Sequence, residues 1–325
     1  MDEILISTIS PCFRMKRYLK QFLEELPKQT IFNKIEVILD HNEPDEEEII
    51  WVKNFQRKYP NRLKHIIVDK VDPLGISMNR CIKESSGKFL AIWNIDDLRT
   101  NDSLELQYKK ILEDDDCGVV YGDYIIVKSF GSQRGQIINC STYERADLLR
   151  SMLLGPFFMF RKSLCDKVGY FDEQFKVCAD FDFALRLLLN SKAVYVKSSL
   201  GFYLNEGTGS STKPDSILPI EDNVIFLRYG IFDKLDYDLV VLSTQYNIKY
   251  VVLGENLIYI GDYIENYNDM IDRKKKLIKK GIRLFFYKRI IMYKKIKKFK
   301  EFIKKIIPIV ILNLYGSIKI LNKSK

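Results

Sequence analysis

A chain of 325 residues, 46% hydrophobic and 29% charged, has a globular composition, long enough for one large domain or two ordinary ones, and is neither disordered nor fibrous. Its six cysteines (Cys12, Cys81, Cys117, Cys140, Cys165 and Cys178) are scattered with no C-x-x-C pair. That pattern argues against disulfides or a zinc site and for packed, reduced thiols in a cytoplasmic protein. The net charge of +9 is uneven, because residues 273–325 carry 19 Lys and Arg against one acid, Glu301, and the rest of the chain is acidic.

Met1-Asp-Glu leads directly into an apolar run, residues 3–10, which reads as a strand rather than a signal peptide. Pro11-Cys-Phe-Arg14 reads as a loop. Residues 15–26 place Tyr18, Leu19, Phe22, Leu23 and Leu26 on one helical face, and Pro27 ends the helix. Strands follow at Ile35–Leu39, ending in Asp40-His41-Asn42, and at Leu63–Val68, with helices at 45–58 and Ser77–Glu84. Phe89–Trp93 is a fourth strand. Strands alternating with helices predict a parallel sheet with right-handed crossovers. Beyond it, helices are expected at 102–113, 146–153, 180–190 and 219–230, and strands at Val119–Val127 and Ala193–Val196. Asn205 to Pro214 is a Gly- and Ser-rich loop. Shorter β-prone runs occur around 238–242 and 248–260. His41 and His65 do not form a metal pair by spacing.

The chemistry concentrates at Asn94-Ile-Asp96-Asp97, where the fourth strand ends abruptly in acids. Open α/β sheets bind ligands at the carboxyl ends of their strands. Paired carboxylates beside a phosphate-bearing ligand hold hard divalent cations, whereas the plainer reading is a helix cap after a strand.

These residues recur with others in a fixed order. Pro11-Cys-Phe-Arg14, Leu39-Asp40-His41-Asn42, Gly75-Ile-Ser-Met-Asn79, Ser85-Ser-Gly87-Lys, Asn94-Ile-Asp96-Asp97, Phe160-Arg-Lys, Gly169-Tyr-Phe-Asp-Glu173 and Ala179-Asp180-Phe-Asp182-Phe-Ala-Leu-Arg186 follow one another along the chain. Over about the first 215 residues the series resembles the family 2 glycosyltransferases. The resemblance implies an α/β protein of GT-A fold, with a Rossmann-like, mostly parallel sheet flanked by helices and a basic helical C-terminal extension. It implies a GT-A domain over 1–216, with a nucleotide-sugar-binding half at 1–100 and an acceptor and catalytic half at 101–216. Residues 217–272 form an extension of unassigned role, and 273–325 the tail.

The resemblance further implies inverting transfer from a nucleotide-diphospho-sugar, UDP-linked by expectation, assisted by Mg²⁺ or Mn²⁺. Asp180 would be the general base. Pro11, Phe13, Asp40, Asn79, Asn94 and Asp96 would contact the donor, with Asp40 on the base. Asp96, Asp97 and Glu206 would hold the metal, and Asp182 and Arg186 would support the acceptor side. Asn94 departs from the family's first Asp, and Glu206 stands where some members have a metal-binding His.

From Lys294 to Ile307, Lys alternates with Ile and Phe in an amphipathic helical pattern. It suits a helix lying on anionic lipid. The apolar run Ile306–Leu321 is short and interrupted by Pro308, so lying on the membrane is expected over crossing it. The expected setting is the inner face of the cytoplasmic membrane, with a lipid-linked saccharide, lipopolysaccharide or capsule acceptor and no nucleic acid. Two other readings remain: a catalytically silent scaffold or nucleotide-sugar-binding subunit, and a nucleic-acid binder acting through the tail.

Overall fold

The computed structural model describes residues 3–142, 144–148, 151–207, 209–229, 231, 234, 250–253 and 256–259. The run at 238–242 and the basic tail at 273–325 lie outside the described residues. By contacts the chain divides into two units, 1–218 and 219–325.

The first unit opens with β1 (Ile6–Phe13), α1 (Lys16–Glu25), β2 (Ile35–Asn42), α2 (Glu46–Lys58), β3 (Leu63–Val68), α3 (Leu74–Glu84) and β4 (Phe89–Ile92). β1 pairs parallel with both β2 and β4, and β2 pairs parallel with β3, as the alternating pattern predicts. Central position explains why β1 is buried on both faces, with Ile6 and Ile9 fully enclosed. Contrary to the expected loop, β1 runs on through Pro11 to Phe13, each residue in register with β2. The proline is tolerated because β4 stops at Ile92, opposite Ile9, so nothing on that side requires its missing N–H. α2 starts on a capping box, Asp45 accepting from the Glu48 N–H (2.9 Å) and Glu48 accepting from the Asp45 N–H (2.9 Å). α3 begins a turn earlier than expected, directly after Pro73, whose missing N–H costs nothing at a helix start.

The second half of the unit is mixed. It comprises β5 (Leu98–Arg99), α4 (Ser103–Leu112), β6 (Cys117–Val127), β7 (Gln136–Ile138), α5 (Arg145–Leu148), β8 (Met159–Arg161), α6 (Leu164–Val168), α7 (Ala179–Asn190) and β9 (Lys192–Leu204). The sheet runs β3-β2-β1-β4-β8-β6-β9-β5, with β7 on β6. β8 pairs antiparallel with both β4 and β6, while β6 and β9 run parallel. The helix expected at 146–153 is corrected to the four residues of α5, and 151–153 are not helical. β9 outruns its predicted span because tertiary pairing with β6 and β5 carries it through Ser198, Ser199 and Gly201. A Cβ on Gly201 would lie 2.4 Å from the Leu98 carbonyl oxygen and 2.7 Å from the Phe157 ring, so only glycine fits.

The core on one face of the sheet joins Leu19 and Phe22 of α1 to Trp93 and Leu104, with Phe22 edge-on to Trp93 at 5.5 Å. All six cysteines are buried and none forms a disulfide. In the second unit, α8 (Leu218–Arg228) and a two-stranded antiparallel hairpin, β10 (Tyr250–Leu253) and β11 (Asn256–Tyr259), are described. Among the described residues no helix is long and apolar enough to cross a membrane.

Candidate active site

The carboxyl end of β4 is a tight turn built around Asp97. Its main-chain N–H donates to the Asn94 carbonyl (3.2 Å), and its own carbonyl accepts from the Trp93 indole (3.1 Å). Its side chain is 1% exposed and both oxygens are occupied. Leu204 N–H donates to Oδ1 (3.0 Å) and Asn94 Nδ2 to Oδ2 (3.0 Å). Burial, then the neighbouring Asp96, push its carboxyl up to about 8, while these two donors and the charge of Arg99 pull the other way. Asp97, expected as a metal ligand, also acts as an anchor: it ties the end of β9 to the end of β4. Asn94, expected at the donor, spends its amide N–H on the same anchor.

Arg99 lies beneath this turn, fully enclosed. Its Nη2 donates to the carbonyls of Ile92 (2.8 Å) and Phe157 (3.1 Å), and its Nη1 to Gln107 Oε1 (2.9 Å). Its guanidinium carbon lies 5.1 Å from the Phe157 ring centroid and 5.7 Å from that of Trp93. Burial pulls its pKa down to about 9, and the charge of Asp97 opposes that shift.

Asp96, beside Asp97 in the same turn, is half-buried. Its carboxylate pKa is raised, first by burial and then by the charge of Glu206; its own main-chain N–H acts the other way. Glu206, expected as a metal ligand, is held by α1. Arg17 Nη1 and Nη2 donate to its two oxygens (3.1 and 3.2 Å), and the Tyr18 hydroxyl donates to Oε2 (3.1 Å).

At the ends of β1 and β2, Pro11 stands opposite Asp40 in register. Asp40 is buried and accepts from Asn42 Nδ2 (2.7 Å) and Arg80 Nη1 (2.6 Å). Arg80 also pairs with Asp72. A carboxylate has about four lone-pair sites, so Asp40 retains acceptor capacity toward a base. Phe13 is half-buried, with the Arg14 guanidinium 4.9 Å from its ring centroid. Asn79 has a different place from the one its motif implies. Its amide donates to the Phe171 carbonyl (2.9 Å) and Glu173 Oε1 (3.0 Å) and accepts from the Phe171 N–H (2.8 Å). These bonds make it a staple between α3 and the Gly169–Glu173 segment.

Asp180 sits in the first turn of α7, half-buried, accepting from the Phe181 N–H (2.8 Å) where the helix dipole favours a carboxylate. Asp182, two residues further, pairs with Arg186 through Nη2 (2.8 Å) and Nε (2.9 Å), and Arg186 also donates to the Val168 carbonyl (2.7 Å). Both residues brace α7 against α6. One side chain links the two halves of the site. Tyr203, at the end of β9, has its phenol pKa raised, chiefly by burial, and then by the charges of Asp97, Asp96 and Asp180, while a hydrogen bond with Ser211 lowers it. Its ring meets Tyr124 edge-on at 6.4 Å.

Arg17, Tyr18, Arg80 and Arg99 lie outside the sequence-predicted set, and no local pattern marks them. Tyr203 opens the Tyr203-Leu-Asn-Glu206 segment and was within reach of the motif reading. His41 and His65, set aside by spacing, are neighbours across β2 and β3, with Nδ1 and Nε2 3.2 Å apart. Burial pulls both imidazoles down to about 4, as suits packed neutral rings.

Among the described residues no group of three or more His, Cys, Asp or Glu converges as a metal cage. The donor set still fits a divalent cation delivered with a diphosphate. Mg²⁺-type sites take one or two protein carboxylates and complete their shell with phosphate oxygens and water. Asp96 is such a carboxylate, and Glu206 is a second one close by.

A sequence profile described as "Glycosyl transferase family 2" matches residues 7–169. An uncharacterized glycosyltransferase of Methanocaldococcus jannaschii is 26% identical over 200 residues, 58% of this chain and 67% of its own length. TarS of S. aureus in complex with UDP-GlcNAc superposes with a TM-score of 0.55 at 16% identity, over 74% of this chain and 70% of that one. Its complex with UDP gives 0.52 at 15%, over 74% and 69%. These likenesses show the shared GT-A fold.

Proposed function

The chain belongs to glycosyl transferase family 2, and from that premise we propose that it transfers a sugar, with inversion, from a UDP-sugar to a hydroxyl of a lipid-linked or polysaccharide acceptor. The observation that supports this reading is that the charges of Asp96 and Asp180 both act on the Tyr203 phenol at the end of β9, beside the Asp97 turn. A donor held at Asp96 and an acceptor held at Asp180 would meet there. Support for a UDP-linked donor comes from TarS, which shares the fold and binds UDP and UDP-GlcNAc.

In this mechanism the acceptor hydroxyl oxygen attacks the anomeric carbon. The bond from that carbon to the diphosphate oxygen breaks, and the hydroxyl proton passes to the Asp180 carboxylate. Asp180 must lie within hydrogen-bonding reach of that hydroxyl when the acceptor is bound. A divalent cation, held by Asp96, would supply positive charge for the leaving diphosphate. Asp40, Pro11 and Phe13 border the base end. Asn94 and Asp97 keep the turn in shape.

Nucleotide release from UDP-, GDP-, TDP- and CMP-sugars, with and without Mn²⁺ and with detergent-extracted membranes as acceptor source, tests this. Metal-dependent release from the UDP-sugar alone is expected. Release from none, by folded protein with acceptor supplied, would favour a silent scaffold.

We further propose that residues 273–325 dock the enzyme on anionic lipid at the cytoplasmic face, where lipid-linked acceptors are presented. The support is the 19 basic residues interleaved with Ile, Leu, Phe and Tyr. Deleting 273–325 should release the protein from phosphatidylglycerol liposomes in sedimentation while sparing donor hydrolysis. Undiminished sedimentation would sink the idea.

A further inference from the structure

Glu206 is held from a distant part of the chain by three donors at once. Arg17 reaches both its oxygens with separate nitrogens, and the neighbouring Tyr18 hydroxyl reaches one of them. Tyr18 is itself fixed, its ring edge-on to Phe130 at 4.8 Å. The clamp is lopsided: Glu206 is 18% exposed, whereas Arg17 is 66% exposed and therefore well hydrated. A pair with one partner in water is weak and readily exchanged.

The backbone on both sides of Glu206 is hydrogen-bonded, with Gly207 N–H donating to Asn205 Oδ1 (3.2 Å) on the far side. Leu204 N–H is bonded to Asp97, and Asn205 N–H to the Val127 carbonyl (2.9 Å). Immediately afterwards comes Gly207, at φ +78° with nothing within 4 Å of where a Cβ would stand. The carboxylate is thus tethered two residues from the Leu204 N–H that binds Asp97, with a left-handed glycine just beyond it. The charge of Glu206 already reaches Asp96.

We propose that Arg17 and Tyr18 are positioning residues that hold Glu206 in reserve as a second carboxylate for a divalent cation, the cation competing with them for it. This rests on the donor and metal reading given above. Two like charges near each other are costly unless a cation sits between them. With only Asp96 to hold it, a cation binds weakly. When a nucleoside diphosphate adds its own oxygens, the cation's charge is enough to draw Glu206 from a guanidinium that water can solvate. The clamp therefore makes metal retention depend on the nucleotide. It also sets the sign of a mutational effect: weakening the clamp should tighten metal binding.

The test is Mn²⁺ binding to the full chain at saturating UDP, read by the electron paramagnetic resonance of free Mn²⁺. Arg17→Met and Tyr18→Phe should each lower the Kd for Mn²⁺ by about fivefold, the scale of one partly exposed ion pair or hydrogen bond. Glu206→Gln should raise it by about tenfold. The double variant Arg17→Met/Glu206→Gln should match Glu206→Gln alone, because Arg17 acts only through Glu206. Unchanged or weaker binding in Arg17→Met, with Mn²⁺ binding normally to the wild type, overturns the clamp and leaves the metal reading standing. No Mn²⁺ binding to any variant with UDP present overturns both. Arg17 is exposed, so its replacement should leave the urea midpoint unchanged, and Tyr18→Phe gives an independent second reading.

Discussion

Asp180→Asn should lower kcat for sugar transfer by about 10²–10⁴-fold, the usual worth of a positioned general base, with little change in the donor's KM. The amide keeps the shape and can still accept from the Phe181 N–H, so the start of α7 should be preserved. What disappears is the ability to take the acceptor proton. Two readouts separate this from a structural effect. The urea midpoint should match wild type, and UDP binding should be unchanged. A loss of less than about tenfold would mean that another group takes the proton. Asp182→Asn is the control. Its carboxylate is committed to Arg186, so its main cost should fall on stability rather than on the chemical step.

The second large effect is on folding. Arg99→Met should destabilise the protein by about 3–5 kcal/mol, the cost of stripping several buried acceptors of their donor at once. The methionine replaces the aliphatic stem but none of the N–H groups. The Ile92 carbonyl and Gln107 Oε1 lose the donors they have in the wild type, and Asp97 loses its nearest compensating charge. Phe157 fares better, since its carbonyl also accepts from Gln107 Nε2 (2.6 Å). Arg99→Lys should recover only part of the loss, because an ammonium cannot reproduce a planar fork spread over two carbonyls and an amide. Urea unfolding with an unchanged m-value and a lower midpoint is the expected signature. A cost below about 1 kcal/mol would mean that water or a rearranged Gln107 replaces the guanidinium.

The parallel half of the sheet was legible because its central strands are buried and read as near-continuous apolar runs, Phe89 to Trp93 being one. The short strands β5 and β8 were not legible. Two or three residues carry no periodicity, and both exist because a neighbouring strand offers an edge. The same division holds at the site. Asp96, Asp97 and Asp180 were found because strand ends and helix starts concentrate acids there for physical reasons. Which carboxylate stays open was not legible. Asp96 and Asp97 are adjacent and chemically identical, and their roles part only because the N–H of Leu204 reaches one of them. The Arg17–Glu206 pair spans 189 residues and leaves no local trace. Asn79 fits its motif in sequence, yet its amide is spent on Phe171 and Glu173, a commitment visible only once α3 is packed.

The place of β8 in the sheet bears on how the chain is made. Met159–Arg161 is the piece that joins β4 to β6, and it is synthesised about seventy residues after β4. At ordinary translation speeds of about 5–20 residues per second, β1 to β4 can pair among themselves several seconds before that piece exists. During that interval the outer edge of β4 carries unpaired main-chain groups, and open edges invite pairing with other chains. The nascent enzyme is therefore most exposed to aggregation between the completion of β4 and the arrival of three residues, Met159, Phe160 and Arg161.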